Sequence, residues 1–157
     1  NMAKKKVLFI CLGNICRSPI AEAVFQKLVS DEGVESEWEI ESASLGDWHT
    51  GNCPDTRALS TLKKHNISYC HKARQITEAD YIECDYIFGM DEENMSELNK
   101  RAPKNKSAKI LLLGTFDPEG DTIIRDPYYD SGMEGFEKCY QQCVRSCRAF
   151  LLSFNKR

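Results

Sequence analysis

A run of β-branched and aromatic residues, Val7-Leu8-Phe9-Ile10, stops at Cys11-Leu12-Gly13-Asn14-Ile15-Cys16-Arg17, and Ser18-Pro19 follows at once. The run reads as a short buried strand. Ser18 reads as an N-cap with Pro19 at the first helical position. Beyond it Ile20, Val24, Leu28 and Ala21, Phe25, Val29 recur at four-residue steps and predict a helix to about Ser30. Strand, tight loop and helix within thirty residues is the opening unit of an α/β fold. It places Cys11 and Arg17 where such folds bind ligands, outside the carboxyl end of a strand and at a helix N-terminus.

The alternation continues. Strands are expected at Trp38–Ser42, Asp85–Met90 and Lys109–Leu113, and helices from about Pro54 to His65 and from Glu92 to Lys100. A last helix carries Phe136, Tyr140, Cys143, Cys147, Phe150 and Phe154 on one apolar stripe that should pack on the sheet. The expected fold is a three-layer α/β/α sandwich around a central parallel sheet of about four strands. At 157 residues it forms one domain, 1–157, with no linker or repeat. Only Gly114–Gly135, with four of the nine glycines and two of the five prolines, is long and loop-like. Asn1 ahead of Met2 reads as an expression remnant without a role.

Lys and Arg total 21 against 24 Asp and Glu, which leaves no basic field for nucleic acid. No stretch approaches the roughly 20 apolar residues of a membrane span, and Val7–Ile10 is too short for a secretory core. A cytoplasmic chain with reduced thiols is expected. Cys139, Cys143 and Cys147 recur every four residues without a paired Cys-x-x-Cys or a neighbouring His, so they read as small hydrophobes on one helix face and not as metal ligands.

The loop from Cys11 to Ser18 carries the chemistry. It is long enough to curl its amides round a tetrahedral anion while Arg17 offers a bidentate fork to two oxygens. Gly13 turns without a Cβ penalty, and Asn14 tolerates a left-handed backbone. Amide dipoles and a guanidinium favour Cys11 as thiolate, placed for in-line attack on phosphorus, and Ser18 can hydrogen-bond that thiolate and help it leave. A nucleotide loop is the nearest competitor, but there is no Gly-Lys-Ser/Thr. Expulsion of an ester oxygen needs a proton donor, and Asp91, Asp117, Asp121 and Asp126 are all open to that role.

The segment from Val7 to Ala23 resembles the signature of the low-molecular-weight protein tyrosine phosphatases, or acid phosphatase 1 family. The similarity runs on through Ala73-Arg74-Gln75, Asp85-Tyr86-Ile87, Met90-Asp91-Glu92, Asp126-Pro127-Tyr128-Tyr129 and Tyr140–Arg145, across essentially the whole chain. The resemblance implies a phosphotyrosine protein phosphatase I-like fold and hydrolysis of phosphotyrosine and small aryl phosphates through a cysteinyl-phosphate. Cys11 would be the nucleophile, Arg17 the phosphate and transition-state ligand, and Asp126 of the Asp-Pro motif the acid and then the base. Leu12, Gly13, Asn14, Ile15, Cys16 and Ser18 would complete the phosphate loop.

The same resemblance makes Asn14, Ser18, Ser42 and His71 a network that holds the loop in shape. Trp48, Tyr128 and Tyr129 become pocket walls, and His49 a variable position tied to substrate preference. Cys16 would form a reversible disulfide that protects Cys11 from overoxidation. Implied partners are phosphotyrosine proteins, small aryl phosphates and inorganic phosphate, with no nucleic acid, no membrane insertion, no metal and no cofactor. The chain would be a monomer, with weak dimerisation allowed.

Three rivals fit less well. An arsenate reductase of this fold needs a resolving cysteine pair, but Cys84 is followed five residues later by Gly89. Bacterial phosphoarginine phosphatases favour threonine where Ile15 stands, and an apolar side chain suits an aryl group. A binding module that captures phosphotyrosine without cleaving it would lose the cysteine or the acid, and both are present.

Overall fold

The first strand, β1 (Lys5–Cys11), divides its side chains between two cores. Val7, Phe9 and Cys11 join one apolar cluster, while Leu8 and Ile10 join another. Such alternation without a polar face is the mark of a strand covered on both sides. The structure is a computed structural model that describes residues 3–155, so Asn1 lies outside the described residues.

After β1 come α1 (Arg17–Asp31), β2 (Trp38–Ser44), α2 (Thr56–Lys64), α3 (Glu78–Glu83), β3 (Tyr86–Gly89), α4 (Glu92–Arg101), β4 (Lys109–Leu112) and α5 (Glu134–Leu152). Short 3-10 turns occupy Glu35–Glu37 and Leu113–Phe116. The four strands are parallel and ordered β2-β1-β3-β4. Helices α1, α2 and α5 pack together on one face, and α4 lies against β3 and β4 with the second core. This is the expected three-layer α/β/α sandwich.

Topology also fixes where a site can lie. From β1 the chain crosses through α1 to β2 on one side, and β3 pairs with β1 on the other. The order therefore reverses beside β1, and a crevice opens beyond the carboxyl ends of β1 and β3. Cys11 and Asp91 stand at its two edges.

Several expectations shift at their boundaries. Ser18 is not a helix cap: α1 begins at Arg17, two residues ahead of the expected Pro19, with Cys16 at the N-cap and no side-chain capping bond. Pro19 then falls in the first turn, where its missing N–H costs nothing. Asp55 caps α2 by accepting from the Arg57 amide. Helix α3 was not anticipated; it starts in a capping box in which Thr77 and Asp80 bond each other's backbone N–H. The apolar stripe of α5 is buried as expected, with Phe136, Cys139, Cys143, Cys147 and Phe150 in the core. Burial pushes the Cys147 thiol well up, as befits a small hydrophobe.

The long segment after β4 is more ordered than its composition suggests. A Cβ at Gly114 would overlap the Thr122 backbone, so the loop doubles back there on itself. It is fastened to α5 by Gln142, which donates to the Ile123 carbonyl at 2.8 Å, and by Arg145, which donates from Nε and Nη2 to Asp117, both at 2.9 Å. Arg145 holds the Asp117 carboxyl below the usual carboxylate range. A lowered folded value contributes stability that is present above the unfolded pKa of ~3.9 and is lost as pH falls through the lower folded one. Arg145→Met should therefore cost about 2 kcal/mol at pH 6 in urea unfolding. The gap to the parent should shrink at pH 3; a gap that does not depend on pH would contradict this account.

Candidate active site

Cys11 ends β1, and the next five residues turn back so that α1 starts beside it. The turn depends on Asn14, which adopts φ 57, the left-handed region that asparagine tolerates better than most residues. Its side chain is fully buried and uses every hydrogen-bonding position it has. Nδ2 donates to Ser18 Oγ at 2.8 Å and to Ser42 Oγ at 3.0 Å. Oδ1 accepts from His71 Nε2 at 2.7 Å and from the Arg74 amide at 3.2 Å. Because Oδ1 can only accept, His71 carries a proton on Nε2.

These bonds orient protons along a chain. Ser42 donates to Glu22 Oε1 at 2.5 Å, which leaves its oxygen to accept from Asn14. Ser18 accepts from Asn14, which leaves its own proton for Cys11 Sγ, 3.0 Å away. The Ser18 amide also points at Sγ, at 3.4 Å. The sulfur thus receives two donors, an arrangement that suits a thiolate. Cys16 is different: burial and the neighbouring Cys11, Asp55 and Asp126 push its thiol well up, so it stays protonated.

Arg17 is 2% exposed, a cation that burial alone would disfavour. Facing Cys11, Asp126 and Asp91 outweigh that penalty and raise its hold on the proton. Nη1 donates to Asp91 Oδ2 at 2.6 Å and to the Ile124 carbonyl at 3.0 Å. Nη2 lies 3.6 Å from Asp126 Oδ2, and Nε has no partner. Arg17 therefore bridges the crevice from the start of α1 to the segment after β3.

A pocket of about 250 Å³ opens above Cys11. Cys11, Leu12, Gly13, Ile15 and Cys16 line its base, and Asp126, Trp48, His49, Tyr128 and Tyr129 its walls. Trp48 and Tyr129 are largely exposed, yet Trp48 is pinned flat across Gly46, where a Cβ would overlap the indole. Arg17 is not in this wall; it borders an adjoining cleft with Asp91, Asn94 and Arg101. Ser42 and His71 stand behind the loop and touch it through Asn14.

The four aspartates now separate. Asp91 caps α4 through Oδ1 and holds Arg17 through Oδ2. Asp117 is clasped by Arg145, and Asp121 faces Lys138 at 3.8 Å on the surface. Asp126 alone of the four lines the pocket that holds Cys11.

Residues 6–157 match the model of the low molecular weight phosphotyrosine protein phosphatase family. The chain belongs to this family. A low molecular weight phosphotyrosine protein phosphatase of Sus scrofa is 56% identical over 149 residues, 94% of each chain. Among solved structures, Primo-1 superposes with a TM-score of 0.93 at 52% identity, covering 97% of this chain and 99% of its own. A Drosophila arginine phosphatase superposes at 0.92 with 39% identity, covering 96% and 98%. The chain is thus a phosphomonoester hydrolase of the low molecular weight phosphatase type.

Two residues of this phosphatase's site escape a reading of the sequence. Glu22 is a buried carboxylate that accepts from Ser42, from Tyr69 Oη at 2.6 Å and from Gln26 at 3.1 Å. Burial and Glu22 together push the Tyr69 hydroxyl up, so it remains a donor. The available signal was a charge one turn after Ser18, on the face that the apolar spacing assigns to the core. Asn14 itself offers a test. Asn14→Ala loses the four bonds and strains a left-handed backbone, whereas Asn14→Gly loses only the bonds. Glycine should be the more stable variant by about 1 kcal/mol in urea unfolding, and equal stabilities would show that the loop does not hold this backbone.

Proposed function

We propose that this phosphatase hydrolyses phosphotyrosine and small aryl phosphates through a cysteinyl-phosphate, in a single domain spanning 1–157. The observation that carries the reading is the pocket itself, which sets a sulfur held by two donors opposite a carboxylate, between aromatic walls. The ester's phosphoryl group lies in the curl of Leu12 to Ser18. Arg17 holds it along the Nε and Nη2 edge, because Nη1 is committed to Asp91 and Ile124. Cys11 thiolate attacks phosphorus, the P–O bond to the aryl oxygen breaks, and Asp126 gives that oxygen its proton.

In the second half Asp126, now a carboxylate, takes a proton from the attacking water while the S–P bond breaks. The Ser18 hydroxyl stabilises the departing thiolate, and inorganic phosphate is released. Arg17 and the loop amides supply the positive field at the transition state. Ile15 gives the base an apolar contact suited to an aryl ring and unsuited to a phosphorylated guanidinium.

Activity is weighted to mildly acidic pH, because attack requires a thiolate and departure of the aryl oxygen requires a proton donor, hence an acid phosphatase. Under oxidation, peroxide converts the Cys11 thiolate to a sulfenic acid. The nearby Cys16 thiol condenses with it to a disulfide, releasing water and sparing Cys11 from higher oxidation. Cytoplasmic phosphotyrosine proteins acted on by a monomer complete the proposal; among the described residues no helix is long and apolar enough to cross a membrane.

The test is hydrolysis of p-nitrophenyl phosphate in EDTA. Parent protein should turn over unimpaired, Cys11→Ser should be inactive, and Asp126→Ala should lose about 10²- to 10⁴-fold. Chelator-sensitive turnover would overturn the metal-free mechanism. An inactive parent that still binds a phosphotyrosine peptide would make the protein a binding module.

A further inference from the structure

The segment that carries Asp126 has no regular secondary structure between the 3-10 turn ending at Phe116 and the start of α5. A general acid must nonetheless sit within hydrogen-bond reach of the leaving oxygen, and a misplacement of about 1 Å costs on the order of 10²-fold. Local bonds set only the shape of the turn. The Tyr128 amide donates to Asp126 Oδ1 at 3.1 Å, the Asp130 amide donates to the Pro127 carbonyl at 3.0 Å, and Arg125 pairs with Asp130 on the exposed side. None of these relates the turn to Cys11.

Arg57, in the first turn of α2, does. Its Nη1 donates to the Asp130 carbonyl at 2.6 Å and its Nη2 to the Tyr128 carbonyl at 2.9 Å, so it grips the turn from both ends. Nε and Nη2 also donate to the two oxygens of Asp55, at 3.0 and 2.9 Å, and the guanidinium lies over the Phe136 ring at 4.5 Å. Asp55 in turn donates its amide to the Ile15 carbonyl of the phosphate loop at 2.8 Å. Burial opposes the Asp55 charge, but its bonds to Arg57 prevail and hold the carboxyl below the usual range, so the pair stays ionised at working pH.

We infer that Arg57, braced by Asp55, is a positioning residue that sets the distance between the cysteine loop and the general acid. The inference rests on the reading of Asp126 as that acid. A guanidinium suits the task, because its planar fork makes four bonds here, to two carbonyls and to both oxygens of a carboxylate, whereas a lysine ammonium has only three donors and no fixed fork.

The two sides of the inference separate by leaving group. Phenoxide needs a proton to depart and 2,4-dinitrophenoxide does not, so kcat/KM on phenyl phosphate and on 2,4-dinitrophenyl phosphate reports acid placement independently of phosphate binding. Arg57→Met should lose about 30-fold or more on phenyl phosphate and less than about threefold on the dinitrophenyl ester. In an Asp126→Ala background it should lose almost nothing further on phenyl phosphate, because two residues that act through one proton are not additive. If Arg57→Met does not fold, Arg57→Lys carries the same comparison, with a selective loss of about fivefold or more.

Equal losses on both esters, or a full loss on top of Asp126→Ala, would overturn the inference and leave Arg57 as scaffolding. If Asp126→Ala itself affects the two esters alike, the acid assignment fails and the role of Arg57 falls with it.

Discussion

A guanidinium buried to 2% exposure cannot stand without neighbours, and much of this molecule is arranged to supply them. Arg17 draws Asp91 from the end of β3, the Ile124 carbonyl from the long loop and Asp126 from its turn. The partners come from two distant parts of the chain, so the burial of one cation gathers the start of α1, the end of β3 and the long loop round the carboxyl end of β1. Removing a member of such a set leaves an uncompensated charge in the interior, which is far more costly than losing a surface pair. The sheet order makes this gathering feasible, because the reversal beside β1 leaves a crevice into which these segments can be drawn.

Round that cation the site divides into parts with different physical duties. The Asn14 network is saturated, and it acts by fixing which way protons point. Glu22 orients Ser42, Ser42 accepts from Asn14, and Asn14 frees the Ser18 proton for Cys11. Aspartates of similar sequence context are separated by their surroundings: Asp91 has both oxygens committed, while Asp126 keeps one face toward the pocket. Placement, and not residue type, decides which carboxylate is free to move a proton.

The four strands and the long helices were legible because their apolar spacing is strong, and the loop after β1 was legible because Cys11, Gly13, Asn14 and Arg17 fall together at a strand-to-helix junction. Helix α3 was missed because six residues give no periodicity; its Thr77-to-Asp80 capping box was the remaining cue. Ser18 looked like a cap because Ser-Pro favours one, but its hydroxyl is committed to Cys11 and Asn14. Glu22, Tyr69 and Arg57 were not singled out, since charged or polar residues on helix faces and loops read as solvated. The partners that tie them into the site lie 20 to 73 residues away, at a range that local patterns do not encode.

The contrast between the base of the pocket and its rim has a bearing on how such a protein is distinguished from its relatives. The loop that forms the base is backed by Asn14, Ser18 and Ser42, which are sealed from solvent and hydrogen-bonded to one another, while Trp48 and Tyr129 at the rim stand 66% and 83% exposed. A small anionic molecule that contacted only the base would meet much the same surface in every protein that shares this loop. Selectivity has to be won at the rim, where side chains can be exchanged at little cost to the fold, so a discriminating inhibitor must extend outward past the phosphate mimic to the indole on Gly46 and the phenol of Tyr129.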